Sequence, residues 1–130
     1  SYNPNDRSQL SPDRLRNKAI TDLFEPGSTM KPLSMAAALE SGKYKAANTI
    51  DTAPGFRRFG RFTIRDHRNY GVISLTEVIS KSSNVGISKI ATDIGGDAIR
   101  NLYARLGFGQ PTGIGRSCGC ACGALQMAAD

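Results

Sequence analysis

Ser28 and Lys31, in the run Glu25-Pro26-Gly27-Ser28-Thr29-Met30-Lys31-Pro32, set a hydroxyl and an amine three residues apart. On a helix that spacing places both on one face, the arrangement that acyl transfer by a serine with a lysine proton acceptor requires. A serine hydroxyl is a weak nucleophile at neutral pH. The lysine must therefore be neutral, with its pKa lowered by desolvation and by nearby cations. Met30, Leu33, Met35, Ala36, Ala37, Ala38 and Leu39 offer the dry surroundings, Pro26-Gly27 turns the chain into the serine, and Gly42 reads as the stop. A Ser-x-x-Lys tetrad alone is a common accident. An almost wholly apolar helix behind it is not what a solvent-facing accident would carry.

A second element lies 54 residues on, at Lys81-Ser82-Ser83-Asn84. Ser82 and Asn84, two apart in a connection between helices, can point together into a cleft. Ser and Asn are equally the residues of a helix cap, and Ser1-Tyr2-Asn3 repeats the pattern, so Ser-x-Asn carries no specificity by itself.

The elements that must position these groups read mainly as helix. One is expected from Asp13 to Phe24, one from Ser28 to Ser41, a pair from Leu75 to Lys81 and from Asn84 to Ile94, and one from Ala98 to Leu106 between Asp97 and Gly107 as caps. Ser74 and Glu77 form a capping box, Leu75, Val78 and Ile79 supply an apolar face, and Gly95-Gly96 ends the second helix of the pair. Thr49 to Tyr70 reads as loop with short extended pieces around Ile50 and Phe62 to Ile64.

The 130 residues give room for one small domain, and 39% apolar content suffices for a core. Ser1 is no initiator, and no signal peptide or membrane span is evident, so the expectation is a piece of a larger protein. A net charge of +6 draws attention to residues 56–70, where Phe56-Arg57-Arg58-Phe59-Gly60-Arg61-Phe62, Arg65, His67, Arg68 and Tyr70 interleave cations with aromatics. The alternative function they suggest is a nucleic-acid-binding module gripping phosphates and stacking bases. The favoured reading is a solvated loop whose phenylalanines fold back onto the core. His67 is the sole histidine, and its adjacency to Asp66 gives no geometric support for a Ser28-His67-Asp66 set. The three cysteines, Cys118, Cys120 and Cys122, lack the usual zinc spacing and a fourth ligand, so no metal and no cofactor is expected.

The Ser-x-x-Lys and Ser-x-Asn elements together resemble the penicillin-recognising serine enzymes. Ser1 to Asn5, Arg16 to Asp22, Phe24 to Pro32, Ala37 to Gly42, Ile64 to Asp66, Asn69 to Gly71 and Lys81 to Gly86 resemble a class B penicillin-binding protein of the septal, Gram-negative type. The resemblance implies an α+β fold of the β-lactamase/transpeptidase kind, of which this chain holds the helices and lacks most of the antiparallel sheet. It assigns Ser28 as the nucleophile toward the D-Ala-D-Ala of a peptidoglycan stem peptide or toward a β-lactam, with Lys31 as its proton acceptor. Ser82 relays a proton, Asn84 orients substrate, and the Ser28 amide is one oxyanion donor. Septal division proteins are the implied partners, nucleic acid is not expected, and the implied location is the periplasmic face of the inner membrane.

Two departures accompany the resemblance. The family's third motif, Lys-Thr-Gly or Lys-Ser-Gly, does not occur in these residues, so little or no activity is expected of the chain by itself. The likeness also stops near Arg116. Residues 1–115 are read as a partial transpeptidase domain, and 116–130 as a tail read out of frame, through a gene lesion or a sequencing error.

Overall fold

The computed structural model describes residues 22–111, together with Asn5, Ser8 and Ser11. The chain divides into a unit from Pro26 to Gly107 and another made of Ser1–Glu25 with Phe108–Asp130. All elements below belong to the first. The helix expected over 13–24 lies outside the described residues as far as residue 21, and Asp22–Phe24 are not helical. The cysteine tail lies outside them entirely.

A 3-10 turn, Gly27–Met30, leads directly into α1, Lys31–Glu40. The single helix expected from Ser28 thus opens with a tighter turn. Pro32 is tolerated because its missing N–H falls in the first turn, where no intrahelical acceptor exists. Ala36 to Leu39 are strong helix formers, and Gly42, at φ 74°, takes the left-handed conformation that ends the helix.

Four short strands follow: β1 Thr49–Asp51, β2 Phe56–Phe59, β3 Phe62–Arg65 and β4 Val72–Ser74. They form two separate antiparallel pairs, β1 with β4 and β2 with β3. The sequence pointed to β1 and β3 but not to their partners. Phe56-Arg57-Arg58-Phe59 lacks the apolar/polar alternation of a half-buried strand, and Val72-Ile73-Ser74 runs straight into a helix. Gly60, at φ 56°, occupies the first of two turn positions between β2 and β3, a conformation that two-residue hairpins demand.

α2, Leu75–Ser80, begins at the expected capping box: the Glu77 amide donates to Ser74 Oγ at 3.2 Å and the Ser74 amide to Glu77 Oε2 at 3.0 Å. α3 runs Asn84–Ile94, as expected, and α4 runs Gly96–Arg105. Asp97 is not the cap of α4. Gly95, at φ 85°, ends α3 and starts α4 at once, which moves Asp97 into the first turn.

Met35, Ala38, Ile73, Leu75, Val78 and Ile90 form the core, and Tyr44, Ile50, Tyr70, Ile79, Ile87 and Ile94 pack against it. Full burial of a side chain such as Val78 or Ile90 stabilises the fold by about 1.5–3 kcal/mol. α1 packs against both α3 and α4, so the helix that carries the lysine is held from two sides.

Candidate active site

At 3.0 residues per turn, positions three apart eclipse one another, and the 3-10 turn therefore brings Ser28 into line with Lys31. The α2–α3 connection approaches the same place. Ser82 there takes φ 52°, a left-handed conformation that costs a non-glycine residue about 1–3 kcal/mol. Ser83 caps α3, its side chain accepting from the Gly86 amide at 2.8 Å. The capping alternative thus applies to Ser83, while Ser82 and Asn84 are left for the cleft.

Lys31 Nζ donates to the Ser82 carbonyl at 2.6 Å, to Ser82 Oγ at 2.9 Å and to Asn84 Oδ1 at 2.6 Å. Ser82 Oγ donates to Ser28 Oγ at 3.1 Å. An ammonium has three N–H donors, and all three are occupied. Among the described hydrogen bonds, Ser28 and Lys31 are linked through Ser82 and not directly. Burial lowers the Lys31 pKa from the ordinary lysine value, while the charge of Asp66 acts to raise it. The Ser28 amide makes no hydrogen bond among the described residues, as befits the start of a helical turn; it is available as an oxyanion donor.

Asp66 is the site residue that sequence reasoning missed. Its Oδ2 accepts from Ser83 Oγ at 2.6 Å, and its Oδ1 accepts from the amides of Asn84 at 2.5 Å and Val85 at 3.0 Å. Next to it, the Arg65 carbonyl accepts from Asn84 Nδ2 at 2.8 Å. A lone carboxylate within an arginine-rich stretch was the available signal. His67 is exposed, and among the described hydrogen bonds Asp66 contacts neither it nor Ser28, so no Ser-His-Asp set is assembled.

The phenylalanines of the hairpin do not fold back onto the core as expected. Phe56, Phe59 and Phe62 are 45%, 54% and 62% exposed. Phe59 pairs with Phe62 beside the turn. Arg65 lies over the Phe56 ring at 5.5 Å and Arg61 over Phe62 at 5.1 Å. No group of three or more metal-ligand side chains occurs among the described residues, nor any helix long and apolar enough to cross a membrane.

The penicillin binding protein transpeptidase domain model matches residues 1–118. The chain belongs to that family. It is 44% identical over 115 residues to the probable peptidoglycan D,D-transpeptidase PbpC of Pseudomonas aeruginosa, covering 88% of this chain and 20% of that one. Peptidoglycan D,D-transpeptidase FtsI of Escherichia coli is 41% identical over 115 residues, with 88% and 19% covered. Among solved structures, the transpeptidase domain of Burkholderia pseudomallei penicillin-binding protein 3 superposes with TM-score 0.69 at 36% identity, covering 73% of this chain and 29% of that one. A peptidoglycan glycosyltransferase from Burkholderia ambifaria gives TM-score 0.73 at 32% identity, with 85% and 34% covered. The chain spans about a fifth of the length of the curated relatives it matches. The α+β architecture, helical with short antiparallel pairs, is that of a part of this transpeptidase fold.

Proposed function

We propose that these residues form the acylating half of a peptidoglycan D,D-transpeptidase of the septal type, working at the periplasmic face of the inner membrane. The observation that carries this reading is the hydrogen-bonded series Lys31–Ser82–Ser28. With Lys31 neutral, the Ser28 proton passes to Ser82 Oγ as the Ser82 proton passes to Nζ. Ser28 Oγ then attacks the carbonyl carbon between the two terminal D-alanines of a stem peptide. The tetrahedral oxyanion is met by the Ser28 amide, and removal of one such donor typically costs about 10² to 10³ in rate. As the C–N bond breaks, the proton returns from the lysinium through the Ser82 hydroxyl to the departing D-alanine amine. An amine of a neighbouring stem peptide then attacks the ester, its proton passes through Ser82 Oγ to Nζ, and as the C–O bond breaks a proton returns through Ser82 to Ser28 Oγ, freeing the serine as the cross-link forms. A β-lactam takes the same first step, its ring carbonyl becoming the ester.

Asn84 supports this reading through its place at the start of α3, where its Oδ1 faces Lys31 and its Nδ2 is held by Arg65. The second wall expected from a Lys-[Ser/Thr]-Gly strand is not encoded in these 130 residues, so the chain by itself is proposed to acylate weakly or not at all. Septal division proteins are the partners this reading entails.

The test is labelling with a fluorescent penicillin of this chain, of the full-length gene product and of its Ser28→Ala variant. Labelling of the full-length product that vanishes with Ser28→Ala is expected. Label located on another serine would sink the site, and strong Ser28-dependent labelling of the chain alone would sink its proposed inactivity.

A further inference from the structure

Four hydrogen bonds join two consecutive residues at the end of the hairpin, Arg65 and Asp66, to three consecutive residues at the start of α3. The Asn84 and Val85 amides are among the orphan donors of a helix start, and a carboxylate placed there is favoured by the helix dipole. Ser83 is fully buried, so its hydroxyl requires a partner. With residues 83–85 fixed in this way and Lys81, the C-cap of α2, still in a helical conformation, the left-handed turn between the helices falls on Ser82. That residue absorbs it at φ 52°. Its carbonyl and hydroxyl then both meet Lys31.

We propose that Asp66 is the positioning residue of the acylation site, clamping the start of α3 so that Ser82 is held between Lys31 and Ser28 and serving as the counter-charge of Lys31. The proposal rests on the reading of Ser28 as the nucleophile. Asp66 never touches substrate; it acts through Ser82 and Asn84. Among the described residues it is also the charged group whose field reaches Lys31, and it favours the ammonium against burial. Burial is the larger influence on the Lys31 pKa and lowers it, and the Asp66 charge opposes that lowering.

The test compares Asp66→Ala and Asp66→Asn in the full-length gene product. Three quantities are read: the rate of Ser28 acylation by a fluorescent penicillin across pH, the melting temperature, and the NMR titration of the Lys31 ε-carbon. Asp66→Ala removes every acceptor and is expected to slow acylation about 10²-fold, the scale of a misplacement of about 1 Å. Asp66→Asn keeps an acceptor for the two amides and loses the charge. It is expected to recover most of the rate and to move the acid limb of the rate profile, with the Lys31 titration, to lower pH. A wild-type rate in a folded Asp66→Ala protein overturns the proposal. So does an unmoved Lys31 titration in Asp66→Asn, which would leave Asp66 as a fold-holding residue only. If the wild-type protein is not acylated at Ser28, the proposed function fails separately, and the Lys31 titration, which needs no penicillin, still decides the role of Asp66.

Discussion

Ser82 Oγ stands 3.1 Å from Ser28 Oγ and accepts from Lys31 Nζ at 2.9 Å. The hydroxyl of one short helical turn and the amine at the head of α1 are therefore coupled through a residue more than 50 positions away in the chain. A relay of this kind makes the middle hydroxyl as necessary as the base. Ser82→Ala and Lys31→Met in the full-length gene product are each expected to lower penicillin acylation by about 10² to 10⁴, the usual worth of positioned acid–base catalysis. The double variant should be little worse than either single one, because the residues act as a unit. Acylation by Ser82→Ala at the wild-type rate would show that the proton travels straight from Ser28 to Lys31.

Gly86 sets how closely α3 approaches α2. A Cβ built there would lie 2.9 Å from Val78 Cγ2 and 3.0 Å from Ser83 Oγ. Val78 is fully buried and has little room to yield. Gly86→Ala is expected to destabilise the fold by about 1–3 kcal/mol through overpacking, measured as a lower midpoint in urea. An unchanged midpoint would mean that Val78 finds another rotamer at no cost.

Acid should weaken the start of α2. The Lys81 ammonium, 2.6 Å from Glu77 Oε1, and the Ser74 amide and hydroxyl together hold the Glu77 pKa down to about 2. A folded-state pKa below the unfolded value of about 4.3 favours folding wherever the carboxylate is charged. That contribution is complete above about pH 4.3 and is lost as the pH falls toward 2. Glu77→Gln keeps an acceptor for the Ser74 amide but cannot ionise, and should flatten the acid dependence in that window. Denaturation midpoints of both proteins from pH 7 to 2 would show parallel curves if Glu77 were not the group responsible.

The hairpin tip offers a test of placement. Phe62 is 62% exposed, so Phe62→Ser is expected to change stability by no more than about 0.5 kcal/mol, as for other surface positions. A ring folded onto the core would instead cost about 3–5 kcal/mol on truncation. Equilibrium unfolding separates the two outcomes directly.

What the sequence made legible was local. The capping box at Ser74 and Glu77, the glycines at 42 and 95, and the apolar faces of α2 and α3 each lie within a few residues of their partners, so composition and spacing expose them. Ser28, Lys31, Ser82 and Asn84 were singled out by type and spacing, and the structure brings all four together. Asp66 was hidden for the opposite reason. Nothing near it in sequence reveals that its oxygens will meet residues 17 to 19 positions later. β2 was missed because a strand lying mostly in solvent has no reason to alternate, and the same exposure defeated the expectation that its phenylalanines would be buried.

α1 packs against both α3 and α4, and its Met35, Ala37 and Ala38 are buried. A helix gripped on two sides cannot open by itself, since its amides become accessible only when its neighbours also separate. The lysine at its head therefore keeps the time of the whole unit. Hydrogen exchange in α1 should follow global unfolding, while the Gly60–Arg61 turn, held by its own hairpin, exchanges on a far faster clock.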